Sequence, residues 1–174
     1  MRRFSKLLGG LALVAVPQAV HAVQYMGVGQ AQAIMFPGEA LTPLVVTLSP
    51  AQIKAVEAVS GVRVRDPKLQ AWRASSGGVL FIDRVLGKHE FITWALALDR
   101  AGRVKQIEIL DYRETYGDQI RLPKWRAQFT GKSLSPELAL DKGVANIAGA
   151  TLSCRHITDG VRRLLATYAA LSHA

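Results

Sequence analysis

Between Leu69 and Tyr112 the chain repeats one pattern, a short run of β-branched, aromatic and aliphatic residues followed by a cluster of turn formers. The runs are Leu69–Ala74, Gly78–Val85, Glu90–Leu98 and Val104–Tyr112, and the breaks are Ser75-Ser76-Gly77, Leu86-Gly87-Lys88 and Asp99-Arg100-Ala101-Gly102. Parallel neighbours need a crossover of about a dozen residues or more, so breaks this short force antiparallel hairpins. Ile92, Trp94, Leu96 and Leu98 then share one face, and Ile107 and Ile109 point together on the next strand. A meander with an apolar face needs a cover, which limits the fold to a sheet backed by helices.

The rest of the chain supplies that cover. Ile157, Val161, Leu164, Leu165, Tyr168 and Leu171 recur at three- and four-residue spacing, with Arg155, Asp159, Arg162 and Arg163 assigned to the opposite side, which predicts a long C-terminal amphipathic helix. Ser49, Pro50 and Gln52 carry the signature of a helix start, Ile53, Val56 and Val59 form an apolar stripe, and Gly61 ends it. A short helix over Gly29–Phe36, a strand over Leu44–Leu48 and a turn or two of helix over Pro123–Phe129 complete the pattern, while Gly131 to Asn146 reads as loop. The expected fold class is α+β: a single domain with an antiparallel sheet packed by helices.

The first 22 residues have a different purpose. Arg2, Arg3 and Lys6 precede an apolar run, Leu7 to Val16, that closes on the small-residue pattern Val20-His21-Ala22. This predicts a signal peptide over 1–22, cleaved after Ala22, because the run is too short to span a bilayer. The chain is then expected in the periplasm or at the outer face of the inner membrane. It has 22 basic and 13 acidic residues, three of the basic ones in the leader, so the remainder is still basic and suited to an anionic ligand, an acidic redox partner or a membrane surface. The cations are scattered, with no recognition helix or aromatic-basic motif, which argues against nucleic acid. One cysteine, Cys154, excludes an intrachain disulfide, a cysteine zinc site and an iron–sulfur cluster, and no haem-attachment motif is present. No metal site is expected, and any redox chemistry needs an organic cofactor.

Asn146-Ile147-Ala148-Gly149-Ala150-Thr151-Leu152-Ser153 lies immediately before the last helix. Small residues, two hydroxyls and the unpaired N–H groups of a helix start converge there, a setting that stabilises a phosphate. Arg155 and His156 follow in the first turn. Taken alone, the segment also reads as an ordinary Thr or Ser helix cap. It resembles the Ser/Thr-Gly-Ala-Thr hallmark of the FMN-binding domain found in the peripheral flavin subunits of the sodium-pumping quinone reductase and the Rnf complexes. The resemblance extends upstream to Glu114-Thr115-Tyr116-Gly117, similar to the family's Glu-Thr-x-Gly segment, and to Trp125 and Phe129-Thr130-Gly131-Lys132. It implies an FMN-binding domain over 78–174, with residues 23–77 an N-terminal extension packed on it.

The resemblance further implies that a flavin transferase esterifies the FMN phosphate to Thr151, leaving the ring its reversible one- and two-electron chemistry. The cofactor-binding residues it implies are Thr151, Gly149, Ala150, Leu152, Ser153, Glu114, Thr115 and Gly117, and Lys88, His89 and Arg113 are candidate cations near the ring. Two positions depart from the hallmark: Ala148 replaces the usual Ser or Thr, and Ala145 stands where an aspartate often precedes it. The implied function is an exported electron carrier that relays between redox proteins, quinol-linked or haem-containing. No catalytic nucleophile with a base, carboxylate pair or nicotinamide fingerprint accompanies the motif. Two rivals remain open: a flavin-dependent reductase of a small molecule, and a binding or scaffold module of the same fold without flavin. Cys154 is read as a packed core residue.

Overall fold

The computed structural model describes residues 23–172, and the expected leader lies outside them. Six strands form one sheet: β1 (Val23–Gln24), β2 (Leu41–Thr47), β3 (Lys68–Ala74), β4 (Val79–Leu86), β5 (Phe91–Leu98) and β6 (Val104–Tyr112). Their order is β1-β6-β5-β4-β3-β2, and every neighbouring pair is antiparallel. The helices are α1 (Val28–Met35), α2 (Pro50–Ser60), the short α3 (Pro123–Arg126) and α4 (Thr151–Ser172). The α+β class and the meander expected from the short breaks are both present. Residues 23–77 contribute three of the six strands, so this part of the chain shares its core with the rest.

Side-chain alternation divides the core in two. On one face Val79, Phe81, Ile92, Trp94, Leu96, Leu98, Ile107 and Ile109 pack with Ile157, Val161, Leu164 and Leu165 of α4 and Val56 of α2. On the other, Leu80, Ile82, Ala95, Ala97 and Leu110 pack with Ala31, Met35 and Phe36, in and just after α1. The sheet is thus a middle layer, covered on both faces, which is why Leu80 through Ile82 are all buried rather than alternately so.

The start of α2 follows the expected chemistry. Ser49 Oγ accepts the Gln52 N–H at 3.3 Å, Gln52 Oε1 accepts the Ser49 N–H at 2.9 Å, and Gly61 closes the helix at φ 69°. Val59, assigned to the apolar stripe, is instead 64% exposed, because α2 seats Val56 and Ser60 against its neighbours and turns position 59 outward. β2 begins three residues earlier than expected, at Leu41, and carries Pro43 within it. A proline is tolerated there because β2 is an edge strand that needs ladder bonds on one side only.

The largest departure from the sequence pattern is Arg163. Assigned to the polar side of the last helix, it is buried, and its Nη2 lies 2.5 Å from Asp83 Oδ2 on β4. Asp83 sits on the face of the sheet that α4 covers, so a charge on one element requires a countercharge on the other. Asp83→Leu should therefore lower unfolding stability by about 3–5 kcal/mol by stranding Arg163, while Asp83→Leu combined with Arg163→Leu should recover most of the loss. Urea unfolding of the three chains checks this; equal stabilities for the single and double variants would remove the pair from the account.

Candidate functional site

Helix α4 starts at Thr151, directly after a tight turn in which Gly149 takes φ 85° and the Ala150 N–H donates to the Ile147 carbonyl at 2.9 Å. The first hydrogen bond leading into the helix is Cys154 N–H to Ala150 O at 2.9 Å. The N–H groups of Thr151, Leu152 and Ser153 meet no acceptor among the described residues, as geometry requires of a helix start without a side-chain cap. Thr151 is therefore the first helical residue and does not cap its own helix. Its Oγ1 lies 3.2 Å from Asn146 Nδ2, which leaves the hydroxyl its own proton and a lone pair.

The turn is braced from behind. Trp125 Nε1 donates to the Ala145 carbonyl at 2.8 Å, Gln128 Oε1 accepts the Ala145 N–H at 2.8 Å, and Trp125 packs edge-on against Phe129 at 5.2 Å. Where the hallmark often has an aspartate, this chain holds the segment by the Ala145 backbone. Leu138 and Val144 are fully buried, so the segment expected as loop is pinned to the core although it is largely irregular.

The Glu114–Gly117 segment comes up beside this turn. Gly117, at φ 93°, is packed so closely that a Cβ there would lie 2.6 Å from Tyr112 Oη and 3.3 Å from the Ala150 Cβ. Tyr112 joins the two segments: its hydroxyl donates to the Tyr116 carbonyl at 2.6 Å and lies 3.3 Å from Ser153 Oγ. Burial pushes the Tyr112 phenol above its ordinary value, with the Ser153 hydrogen bond opposing and Glu114 and Asp118 adding to the rise, so it remains a neutral donor. Its one proton goes to Tyr116, so the Ser153 hydroxyl donates to Tyr112. Ser153 consequently faces the site through its backbone N–H, its hydroxyl being already engaged.

The expected site residues thus divide. Thr151, Gly149, Ala150, Leu152 and Ser153 come together with Gly117, while Thr115 is exposed and has no recorded polar partner among the described residues. Glu114 points the other way, into the Leu86–Glu90 turn, where its Oε1 accepts the N–H groups of His89 at 2.6 Å and Glu90 at 3.0 Å. Burial opposes its ionisation, but hydrogen bonds from the backbone of Glu90, His89 and Lys88 outweigh it and hold the carboxyl below its usual range. Lys88 and His89 are exposed on that turn, Arg113 is tied to Asp111 at 2.8 Å, and His156 Nδ1 contacts the Leu86 carbonyl. Arg155 is exposed in the first turn of α4. Cys154 is fully buried, and burial pushes its thiol up, as a packed core residue requires.

Two large apolar side chains are left exposed around this place, Leu152 at 42% and Tyr116 at 82%, whereas Leu86 at 37% and Phe91 at 48%, the latter under the Arg84 guanidinium, follow the alternation of Ile82 and Ala95 onto the α1 face of the sheet. Leu86 and Phe91 oppose each other at the end of the β4–β5 hairpin, and Leu152 and His156 share a face of α4 at i, i+4 spacing. The exposure of Leu86 and Phe91 could not be read from the sequence, because it depends on how far the α1 layer reaches over the end of the hairpin. The Tyr112 hydroxyl bridge was equally hidden, since an aromatic at a strand end reads as core.

A threonine hydroxyl and three N–H groups without an acceptor among the described residues, set at the start of a helix buried along its length, make a place suited to a phosphate group. Residues 87–166 match the family model described as FMN-binding domain, which bears out the resemblance read from the sequence. In overall fold the protein is similar to the crystal structure of NqrC from Shewanella oneidensis, with a TM-score of 0.56 and 16% identity over 85% of this chain and 91% of that one. No curated protein matches the sequence. The residues fit the group the family binds: N–H donors and the Thr151 hydroxyl suit the FMN phosphate, and the exposed Leu152 and Tyr116 offer apolar contact to its ring.

Tyr112→Phe keeps the buried ring and removes the bridge between the two segments. It should lower stability by about 1–3 kcal/mol, the cost of leaving a half-buried acceptor without its donor. Chemical denaturation reads this directly, and an unchanged midpoint would show that the hydroxyl does not hold Tyr116 and Ser153 together.

Proposed function

We propose that this protein is an exported electron carrier whose FMN is joined through its phosphate to Thr151 Oγ1. The observation that carries the reading is Thr151 itself: a hydroxyl at the first position of α4, followed by N–H groups with no acceptor among the described residues. A phosphate ester there keeps its negative charge against the positive end of the helix. Attachment needs an activated donor, an FMN-containing phosphoanhydride presented by a flavin transferase. The Thr151 Oγ1–P bond forms as the donor's P–O bond breaks, and the hydroxyl proton leaves.

When bound, FMN supplies reversible one- and two-electron chemistry that no side chain of this protein offers. The chain's own part is to hold the phosphate at Thr151–Ser153, to contact the ring with Leu152 and Tyr116, and to leave an edge open to a partner. Its partners are redox proteins, a quinol-linked or haem-containing donor among them. The apolar stretch over 1–22, with the features of an export signal, supports a carrier working in the periplasm or at the outer face of the inner membrane, and the basic composition suits an acidic partner or anionic lipid. Among the described residues no helix is long and apolar enough to cross a membrane.

Coexpression with a flavin transferase, followed by a denaturing gel viewed under ultraviolet light, tests the attachment. The parent chain should fluoresce after denaturation, Thr151→Ser should retain the signal because it keeps the hydroxyl, and Thr151→Ala should be dark. A fluorescent Thr151→Ala would move the attachment elsewhere, and a colourless parent would favour a scaffold of the same fold.

A further inference from the structure

Where β4 turns into β5, the backbone forms a small anion-binding nest, and the anion in it belongs to the chain. The N–H groups of His89 and Glu90 converge on Glu114 Oε1 at 2.6 and 3.0 Å, while the Gly87 N–H closes the turn onto the Glu90 carbonyl at 2.7 Å. Gly87 is required by this packing, because a Cβ there would lie 2.5 Å from Glu114 Oε1 and 3.0 Å from the Glu90 carbonyl oxygen. From the opposite side His156 contacts the Leu86 carbonyl, so the turn is held between the Glu114 segment and the early part of α4. Three residues beyond Glu114, Gly117 packs on Ala150, which immediately precedes Thr151.

We propose that Glu114 is a positioning residue: by filling this nest it fixes the Gly87–Glu90 turn, with Lys88 and His89, as a wall of the FMN site beside the start of α4. The proposal rests on the reading of Thr151 as the point of attachment. Charge-assisted bonds from backbone N–H to a carboxylate are stronger than neutral ones, so the turn is ordered before any cofactor arrives. Ordering in advance spares the flavin the cost of organising the turn when it binds. Glu114 thus acts on the flavin through the turn, and its carboxylate makes no contact with the phosphate.

The test separates the clamp from the wall. In the chain without flavin, amide hydrogen exchange at His89 and Glu90 should accelerate about tenfold or more in Glu114→Ala, the loss expected for hydrogen bonds to a charged group. Glu114→Gln keeps the acceptor oxygen and should fall between, with the amides of Val161 and Leu164 in α4 unchanged as the control for global unfolding. In the flavinylated chain, the visible circular dichroism of the flavin should weaken in Glu114→Ala and partly recover in Glu114→Gln, while in-gel fluorescence persists.

Unchanged exchange at His89 and Glu90 would overturn the clamp. Faster exchange with an unchanged flavin dichroism would overturn the wall. A parent chain that takes up no flavin would sink the Thr151 reading and the wall with it, and the exchange experiment would still decide the clamp. Should Glu114→Ala fail to fold, the same two measurements on Glu114→Gln carry the decision, with parent-like values in both counting against the proposal.

Discussion

An α-helix cannot satisfy its own first N–H groups, and the structure is organised around leaving those of α4 open in a fixed place. The N–H groups of Thr151, Leu152 and Ser153 have no acceptor among the described residues, while the residues that follow are buried: Ile157, Val161 and Leu164 are sealed against the sheet. The depth of that burial is what makes the helix start rigid. A helix held only at its surface would fray at this end, and its donors would sample water and turn conformations rather than one orientation. The Asp83–Arg163 pair adds registration, since two buried charges find each other at one position of the helix along β4.

Bracing of the turn before α4 follows from the same need. Ala145 is held at both its N–H and its carbonyl by Gln128 and Trp125, and Gly117 packs into the space that a side chain would deny to Ala150. These contacts come from segments far apart in sequence, so the site depends on completion of the sheet. β6 delivers Tyr112 and the Glu114–Gly117 segment to one side of the turn, and the end of the β4–β5 hairpin delivers the Leu86 carbonyl to His156 of α4.

That distribution explains what could be read from the sequence and what could not. The strands were legible because alternation over Glu90–Leu98 and Val104–Tyr112 is a local property, and α2 was legible because Ser49, Pro50, Gln52 and Gly61 write its two ends. At Thr151 the residues alone allowed an ordinary helix cap as well as a phosphate setting, and it was the resemblance to the FMN-binding family that distinguished the two. Arg163 was misassigned because helical periodicity records which residues are apolar and cannot see a countercharge on another element. Glu114 was read as a cofactor neighbour because its segment resembles the family's Glu-Thr-x-Gly. The direction of its carboxylate depends on a turn 25 residues earlier in the chain, a relation that no spacing rule contains.

The openness of the site bears on why a covalent link suits it. Leu152 is 42% exposed and Tyr116 82% exposed, so the apolar contacts around Thr151 form a rim rather than an enclosed pocket. Small-molecule sites that hold their ligands by contact alone bury most of the ligand surface, which a rim cannot do. The proposed phosphate ester at Thr151 would remove that requirement, because retention would no longer depend on enclosure. The surface would then be free for a second task, since electrons reach a protein partner most readily where a cofactor edge meets the outside. Under this reading the exposed Leu152 and Tyr116 serve both the ring and whatever docks on it, and the ordered Gly87–Glu90 turn keeps its side of the site in one shape before either arrives.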